Sequence, residues 1–209
     1  MIEISRTRVT GFDEAIRGAR NSHRSWSKSD SRWNDFGATG YSFFKMGEND
    51  RSLLLRLARA GSDEAKYRRM IVVYADINAP LYWWKQYDTY KVGTVTLSTS
   101  TMHNIADTEF DEFDFSFDDV DEESIELILH KLNSLRNNYI DSKSTYDQNQ
   151  LIRFLPSAYN QLRTVMLNYE VLANIYHSRK NHKLFEWHAF CEWIEALPYS
   201  EIITEDRKA

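Results

Sequence analysis

The sequence contains very little cysteine, proline and glycine. Among its 209 residues are one cysteine, three prolines and seven glycines. A single cysteine excludes an internal disulfide framework and is typical of a reducing compartment, so we expect a cytoplasmic protein of a bacterial cell. The scarcity of proline and glycine disfavours a turn-rich all-β fold and favours long, regular elements.

The sequence also lacks a membrane-spanning or exported segment. No apolar run approaches the roughly 20 residues needed to cross a bilayer, and the N-terminus does not have the pattern of a signal peptide. A phosphate loop, a dinucleotide-binding glycine pattern and a Cys-x-x-Cys pair are also missing. His177, His182, His188 and Cys191 lie close together in the sequence. Their spacing matches no familiar zinc pattern, and we predict no metal site.

Acidic residues are concentrated in one segment. The net charge is -5, and residues 104–126 contain eleven acidic side chains and no lysine or arginine. The rest of the chain is mildly basic and can receive phosphates, but we expect no nonspecific binding of nucleic acid. Because four phenylalanines accompany the carboxylates in residues 104–124, we interpret this stretch as an acidic loop packed by its aromatic rings. A docking strip for a basic partner is the alternative.

The residues that are present predict an α+β fold. The chain is 42% hydrophobic and 14% aromatic, which is enough for one substantial core, so we predict a single domain over residues 1–209. The predicted fold is an antiparallel sheet packed with long α-helices and a helix-rich C-terminal half. Residues 23–45 have no sustained period and are predicted to form a long loop. Strands are predicted at 2–10 and 70–77, and helices at 12–21, 49–61, 81–90 and 124–139.

The most regular pattern lies between residues 155 and 198. Apolar residues recur there at helical spacing, which predicts two long helices separated by a short polar joint, the first opened by Pro156. On an unbroken helix Asn168 and Arg179 would be about three turns apart and would share one face.

Three stretches, in order along the chain, point to one family. Residues 12–22 form the first, and residues 78–87 (Asn-Ala-Pro-Leu-Tyr-Trp-Trp-Lys-Gln-Tyr) form the second. The third consists of Leu155, Pro156, Asn168, Leu172, Asn174, Arg179, His182 and Glu186. Together they resemble the flavin-dependent thymidylate synthases, ThyX. They match that family's first helix, its strand-to-helix junction, and its C-terminal asparagines, uracil-reading arginine, histidine and glutamate.

The chain departs from the family at the signature R-H-R-x-x-S-x-N-E-x-S-x-R-Y, where no position is identical. Thr89, Tyr90 and Lys91 replace the first R-H-R, Thr94 and Thr99 replace the serines, Thr96 and Leu97 replace Asn-Glu, and Thr101 and Met102 replace Arg-Tyr. In the family the signature arginines hold flavin and substrate phosphates. Lysine is an imperfect substitute for that role, and threonine is a poor one.

The resemblance implies a nucleotide site in this chain. Its predicted residues are Gln86, Lys91, Thr94, Asn168, Asn174 and Arg179, with Arg20, Arg24 and Lys28 as candidates for further phosphate contacts. Arg179 and Asn174 would face the base, Gln86 and Lys91 the phosphate, and the Ser/Thr run 94–101 would line the pocket. No catalytic residue is predicted, although Thr94 stands at the family's serine position. FAD as cofactor and a homotetramer are likewise implied by the resemblance alone.

These features predict a non-catalytic, nucleotide-binding homo-oligomer. It would sense or sequester a nucleotide at a subunit interface, as a phage interference protein in an infected bacterial cell would. The alternative is a flavin-dependent enzyme that methylates a uracil nucleotide, of the dUMP-to-dTMP type, with loop cations replacing the lost arginines. A third interpretation is a helical protein whose Asn and Arg residues only satisfy buried polar groups.

Overall fold

The computed structural model describes residues 2–35 and 42–205. Its strands are β1 (Glu3–Thr10), β2 (Arg32–Asp35), β3 (Ser42–Lys45), β4 (Val72–Pro80), β5 (Val95–Ser98) and β6 (Asn160–Asn168). Its helices are α1 (Phe12–Ala19), α2 (Glu48–Ala60), α3 (Leu81–Tyr87), α4 (Thr101–Asn104), α5 (Glu122–Ser142), α6 (Thr145–Phe154), α7 (Tyr169–Arg179), α8 (Phe185–Glu195) and α9 (Glu201–Thr204). Short 3₁₀ turns lie at Asn21–His23, Trp26–Lys28, Glu64–Met70 and Glu112–Asp114.

The central sheet is antiparallel, with strand order β1-β4-β6-β5. β4 is an interior strand, and its side chains alternate, with Val73, Ala75, Ile77 and Ala79 buried. β2 and β3 form a separate antiparallel pair in which Trp33 lies opposite Phe44. The sheet, the packed helices and the helix-rich C-terminal half confirm the predicted α+β fold class.

The chain divides into two compact units. Unit 1 comprises Met1–Ser5, Asp76–Thr89 and Thr96–Val165. Unit 2 comprises Arg6–Ala75, Tyr90–Val95 and Met166–Ala209. None of the helices in the described part of the chain has the length and apolar character needed to span a bilayer.

The acidic segment is anchored in the core of unit 1. Phe110 and Phe115 are buried in one cluster with Leu132, Leu135 and Leu151 of α5 and α6. The Phe110 backbone also exchanges two hydrogen bonds of 2.9 Å with the Asn133 side chain. The rings of Phe110 and Phe115 therefore pack this segment, and most of its carboxylates are exposed, in agreement with the packed-loop interpretation; a docking role stays a prediction.

An aromatic cluster organises unit 2. The ring of Phe12, the first residue of α1, stacks on Phe44 with centroids 5.7 Å apart. The same ring meets Tyr169 and Tyr199 edge-on, at 5.7 Å and 5.2 Å. These contacts join β3 to α1 and to the beginning of α7, so the β2–β3 hairpin is a packed part of the unit.

The prediction of a helix that begins at Pro156 is wrong. Residues 160–168 form strand β6, and the helix α7 begins only at Tyr169. The apolar residues of this stretch fit a helical period, but Val165 and Leu167 are buried in strand alternation because β6 lies between β4 and β5. Asn168 ends the strand and caps α7, so it does not share a helix face with Arg179.

Three smaller differences concern boundaries and elements between the main segments. α2 begins at Glu48 after Gly47, one residue before the predicted cap Asn49. α6 and the short α9 were not predicted. The predicted loop over residues 23–45 contains the 3₁₀ turn Trp26–Lys28 and the β2–β3 hairpin, and its residues 36–41 lie outside the described part of the chain.

Candidate functional site

Arg179, the last residue of α7, is held by two aromatic side chains of unit 2. Its Nε donates a hydrogen bond of 2.9 Å to the hydroxyl of Tyr90. Its guanidinium carbon lies 4.8 Å from the centre of the Trp187 ring and 5.7 Å from that of Tyr90. Trp187 is fully buried and meets Tyr90 at 69°. The plane of the guanidinium is therefore set by a hydrogen bond and by cation–π contacts.

His182 lies three residues after this arginine, and its surroundings favour the neutral ring. Its Nδ1 accepts a hydrogen bond of 3.2 Å from the amide of Leu184, which puts the proton of the neutral ring on Nε2. Its carbonyl oxygen lies 2.6 Å from Nε2 of His188, which must donate because a carbonyl only accepts. Burial and the positive charges of Arg179 and His188 lower the pKa of His182. A neutral ring with its proton on Nε2 thus lies 6.3 Å from the centre of the Trp187 ring, which also contacts the guanidinium.

The turn that follows Tyr90 runs along α7 toward Asn168. Asn168 Oδ1 accepts hydrogen bonds from the amides of Glu170 (3.1 Å) and Val171 (3.0 Å) and so caps the helix. Gly93 has φ +81, and a Cβ there would stand 2.7 Å from Asn168 Nδ2. Only glycine allows this close approach, which fixes the turn against the N-terminal end of α7.

The remaining predicted site residues are placed differently. Thr94 Oγ1 donates to the carbonyl of Tyr90 at 2.7 Å, which stabilises the turn. Lys91 is exposed in the same turn. Asn174 is exposed on α7, and because it lies five residues before Arg179, the two side chains leave the helix about 140° apart. The two predicted base contacts therefore do not share one face of α7. Gln86 belongs to unit 1, where its carbonyl accepts from Thr89 Oγ1 at 2.7 Å.

Sequence reasoning missed Tyr90 and Trp187 as parts of this cluster. Tyr90 stands at the middle position of the substituted R-H-R, and the substitution itself was the signal: a hydroxyl replaces a histidine at a signature position. Trp187 fits the apolar pattern of α8, and that pattern contains no signal that the ring supports an arginine from another helix.

The hydroxyl run lines a cavity within unit 1. Thr99, Ser100 and Thr101 face a space of about 270 Å³ together with Asp114 and Asn160. Burial raises the pKa of Asp114. Three residues of the predicted hydroxyl run therefore line this cavity, and their place in a nucleotide pocket stays a prediction. The described lining residues include a carboxyl group and no cation, which suits an uncharged polar group better than a phosphate.

Comparison with known proteins identifies the fold. No protein-family model matches the sequence, and no curated protein matches it. Thymidylate Synthase X (ThyX) from Helicobacter pylori, solved with FAD and dUMP, superimposes with a TM-score of 0.75 at 15% identity, over 99% of this chain and 98% of that one. The chain has a ThyX-like fold. This confirms the resemblance recognised in the sequence.

Two further structures agree with this result. A second structure of the Helicobacter pylori protein, complexed with FAD and dUMP, gives a TM-score of 0.74 at 16% identity, over 99% of this chain and 100% of that one. A UMP/dUMP methylase, PolB from Streptomyces cacaoi, bound with 5-Br UMP, gives 0.63 at 13% identity, over 97% and 93% of the chains.

The charge of one cavity of the ThyX-like chain does not suit a flavin dinucleotide. This cavity of about 480 Å³ lies in unit 2 and is lined in part by Ser22, Tyr67, Lys66, Asp63 and Glu64. Its volume is within the range of about 300–1,000 Å³ that is usual for small-molecule sites. However, Asp63 and Glu64 would repel a diphosphate, and Lys66 is the one cation among the described lining residues.

Metal and thiol chemistry have little support in the described residues. Within residues 2–35 and 42–205, no group of three or more His, Cys, Asp or Glu side chains is arranged to hold a metal ion. Cys191 is buried, and burial raises the pKa of its thiol to about 11. It is therefore a small apolar core residue, as predicted from its aromatic surroundings.

Arg20 is not a phosphate contact in this structure. It is 4% exposed, and its Nε donates to Asp50 Oδ1 at 2.6 Å. Its terminal nitrogens donate to the carbonyls of Ser25 (3.3 Å) and Lys28 (3.2 Å). The guanidinium is thus committed to holding the chain, while Arg24 and Lys28 are exposed and their phosphate role stays a prediction.

Proposed function

We propose that this ThyX-like chain binds a uracil nucleotide without converting it, and that Arg179 reads the base. The observation that carries the proposal is the fixed guanidinium of Arg179 between Tyr90 and Trp187. A planar group of N–H donors, held in one orientation, suits the carbonyl edge of a planar ring. His182, three residues further along the chain, is neutral and would offer the ligand a second N–H donor without adding charge to the site.

The comparisons support the choice of base class. The two Helicobacter pylori structures contain dUMP, and the Streptomyces cacaoi structure contains 5-Br UMP. Uracil presents carbonyl oxygens at positions 2 and 4, whereas cytosine carries an amino group at position 4 that would meet the arginine donors. We therefore expect uracil to be preferred over cytosine.

The substituted signature supports binding without turnover. Tyr90 of the substituted signature orients Arg179, and the Thr94 hydroxyl donates a hydrogen bond to the carbonyl oxygen of Tyr90. Residues 89–102 contain a single cation, Lys91, where the family has three arginines. A chain that keeps the base-reading group and lacks the cations for the flavin and substrate phosphates is suited to occupancy rather than chemistry.

We further propose that the site is completed in a homo-oligomer, a tetramer by resemblance. Phe185, the first residue of α8, is 73% exposed, and its ring lies 5.9 Å from that of His188. A second copy that covers this ring would bury apolar surface and close the neighbourhood of Arg179. In a bacterial or phage-infected cell such an assembly would sequester or sense the nucleotide.

Isothermal titration of the purified chain with dUMP, dTMP and dCMP tests the proposal. We expect dUMP to bind more tightly than dCMP, and Arg179→Ala to weaken dUMP binding by about 1.5–3 kcal/mol, the usual value of a hydrogen bond to a charged group. Arg56→Ala, an exposed arginine of α2 in the same unit, is the matched control. Failure of all three nucleotides to bind, or equal affinities of the Arg179→Ala and Arg56→Ala variants, would refute it.

The flavoenzyme is the second candidate, and the observation that favours it is the ThyX-like fold, whose Helicobacter pylori examples were solved with FAD and dUMP. A visible absorbance spectrum of the freshly purified protein, followed by mass spectrometry of what denaturation releases, separates the two. Stoichiometric flavin and methylation of dUMP would establish the enzyme. A colourless protein that releases a nucleotide would establish sequestration.

A further inference from the structure

A small cavity on unit 2 presents two exposed indole rings. It has a volume of about 150 Å³ and is lined in part by Asp13, Arg17, Trp26, Arg32 and Trp33. We call it the tryptophan cavity. It shares no residue with the Arg179 cluster, so the two features can be tested separately.

Both indoles are exposed but held in place. Trp26 is 41% exposed and donates its Nε1 proton to Asn21 Oδ1 at 2.9 Å. Trp33 is 55% exposed and donates to Asp13 Oδ2 at 3.1 Å. Because each ring N–H already has an acceptor, the indoles offer a ligand their faces rather than their polar edges.

The floor of the tryptophan cavity is a buried polar network. Asp50 is fully buried and accepts hydrogen bonds from Arg20 (2.6 Å), Ser29 (2.7 Å) and the Ser31 hydroxyl (2.6 Å). Burial opposes ionisation of Asp50, but the hydrogen bonds from Ser31, Ser29 and Arg20 outweigh it and lower its pKa. The segment between Arg20 and Ser31 is thereby fixed, and the cavity is preorganised.

Cations outnumber carboxylates among the described lining residues of the cavity. Arg17 and Arg32 are exposed cations, Asp13 is a carboxylate engaged by Trp33 and by neighbouring Glu14, and the Arg20–Asp50 pair is neutral overall. Arg17 lies 5.5 Å from the centre of the Trp26 ring. Indole faces also attract cations, but Arg17 already covers one face of Trp26 and would repel a cationic ligand, so a stacked base would use the opposite face.

The size of the cavity limits what it can enclose. At about 150 Å³ it lies well below the range of about 300–1,000 Å³ for sites that enclose a whole small molecule. It can take one flat ring, and a charged group attached to that ring would remain outside, within reach of the exposed arginines.

From this geometry we propose that the tryptophan cavity is a second ligand site, which stacks the base of a free mononucleotide on Trp26 and Trp33 and pairs its phosphate with Arg17 and Arg32. Stacking of a base on an aromatic side chain is sequence-tolerant, because every base has a π-face. We therefore expect purine and pyrimidine mononucleotides to bind here with little discrimination. The site does not depend on the function proposed for Arg179.

Titration of the full chain carrying Arg179→Ala, which isolates this site, provides the test. The probes are AMP, adenosine and inorganic phosphate. We expect AMP to bind and to change tryptophan fluorescence, adenosine to bind at least several-fold more weakly, and phosphate alone to bind weakest. Trp26→Ala and Trp33→Ala should each reduce AMP affinity tenfold or more, and Arg17→Ala should remove most of the difference between AMP and adenosine.

Two controls keep the result interpretable. Trp33→Phe keeps an aromatic face without the N–H, and it should retain AMP binding if stacking is the interaction. Trp193→Phe, a tryptophan of α8 outside the cavity, should leave binding unchanged. The proposal is overturned if AMP does not bind, if phosphate binds as well as AMP, or if Trp26→Ala and Trp33→Ala bind AMP like the parent chain.

Discussion

The hydroxyl of Tyr90 accepts a hydrogen bond of 2.9 Å from Nε of Arg179. The residue at the centre of the substituted signature therefore orients the residue that resembles the family's base-reading arginine. A substitution that removes the family's histidine from this position has given the tyrosine a supporting role in the site.

Tyr90→Phe tests this role. The variant keeps the ring beside Arg179 and removes only the hydrogen bond, so we expect uracil nucleotide affinity to fall by about 0.5–1.5 kcal/mol with little change in melting temperature. Isothermal titration and thermal unfolding measure the two effects. Tyr74→Phe, an exposed tyrosine of β4, is the control. An unchanged affinity in Tyr90→Phe would show that Trp187 alone orients the arginine.

Gly93→Ala tests the close approach to Asn168. The new Cβ would stand 2.7 Å from Asn168 Nδ2 and 3.3 Å from Val171 Cγ2, at a φ of +81. We expect the free energy of unfolding to fall by more than the roughly 1–2 kcal/mol that left-handed backbone alone costs. Gly61→Ala measures backbone strain without crowding, because Gly61 has φ +127 and ψ 177 and its Cβ would meet nothing closer than 3.6 Å. In urea denaturation, a loss for Gly93→Ala of no more than about 1–2 kcal/mol would mean that the turn can move away from α7.

Asp50→Asn tests the buried network under the tryptophan cavity. The variant leaves the buried Arg20 charge without its partner, and we expect a loss of about 3–5 kcal/mol in the free energy of unfolding. Asp63→Asn, an exposed position in the same unit, should change stability little. If Asp50→Asn lowered the free energy of unfolding no more than Asp63→Asn does, the negative charge of Asp50 would not be needed for stability.

The same network has a pH signature. The folded pKa of Asp50 lies below the ordinary value of 3.8, so its contribution to stability is complete above that pH. It is lost as the pH falls through the lower, folded pKa, because the unfolded chain binds the proton first. In acid denaturation, Asp50→Asn should therefore show a shallower decline in stability below pH 3.8 than the parent chain.

Arg68 and Glu170 form a buried ion pair whose geometry is poor. Arg68 is fully buried, and its Nη1 lies 3.6 Å from Glu170 Oε2. Arg68→Met should destabilise the chain by about 3–5 kcal/mol, because a buried carboxylate loses its countercharge. Adding Glu170→Gln should recover part of that loss. Urea denaturation of both single variants and the double variant gives the coupling, and purely additive losses would contradict the pairing.

Strong local patterns predicted the elements that build the site. The acidic first turn and buried face of α1, the β-branched run of β4 and the aromatic α8 follow from residue spacing. β6 was misread as a helix because nine residues with scattered apolar side chains fit both periods. These residues form a strand because they pair with β4 and β5, and the spacing of residues within one segment does not reveal which strands will pair with it.

The sequence singled out individual site candidates but not the partners that distant segments bring to them. Arg179 was identified from the resemblance, but its partners Tyr90 and Trp187 come from other segments. Arg20 looked like a free loop cation because Asp50, which neutralises it, lies 30 residues away. Residue spacing predicts which side chains are neighbours within one helix or strand, but it does not predict pairs such as Arg20 and Asp50 that come from different elements.

At Asn168 the chain passes from strand to helix without an intervening residue, because this asparagine both ends β6 and caps α7. A loop would absorb small displacements by changing the dihedral angles of several residues. Here Asn168 is the one residue at the junction, and its side chain is hydrogen-bonded to the first amides of α7. A tilt at the end of β6 therefore also moves Arg179, because the 11 residues of α7 form a helix about 16 Å long that rotates as one body. The amides of the first turn of α7 should accordingly exchange with solvent as slowly as those of the strand that leads into it.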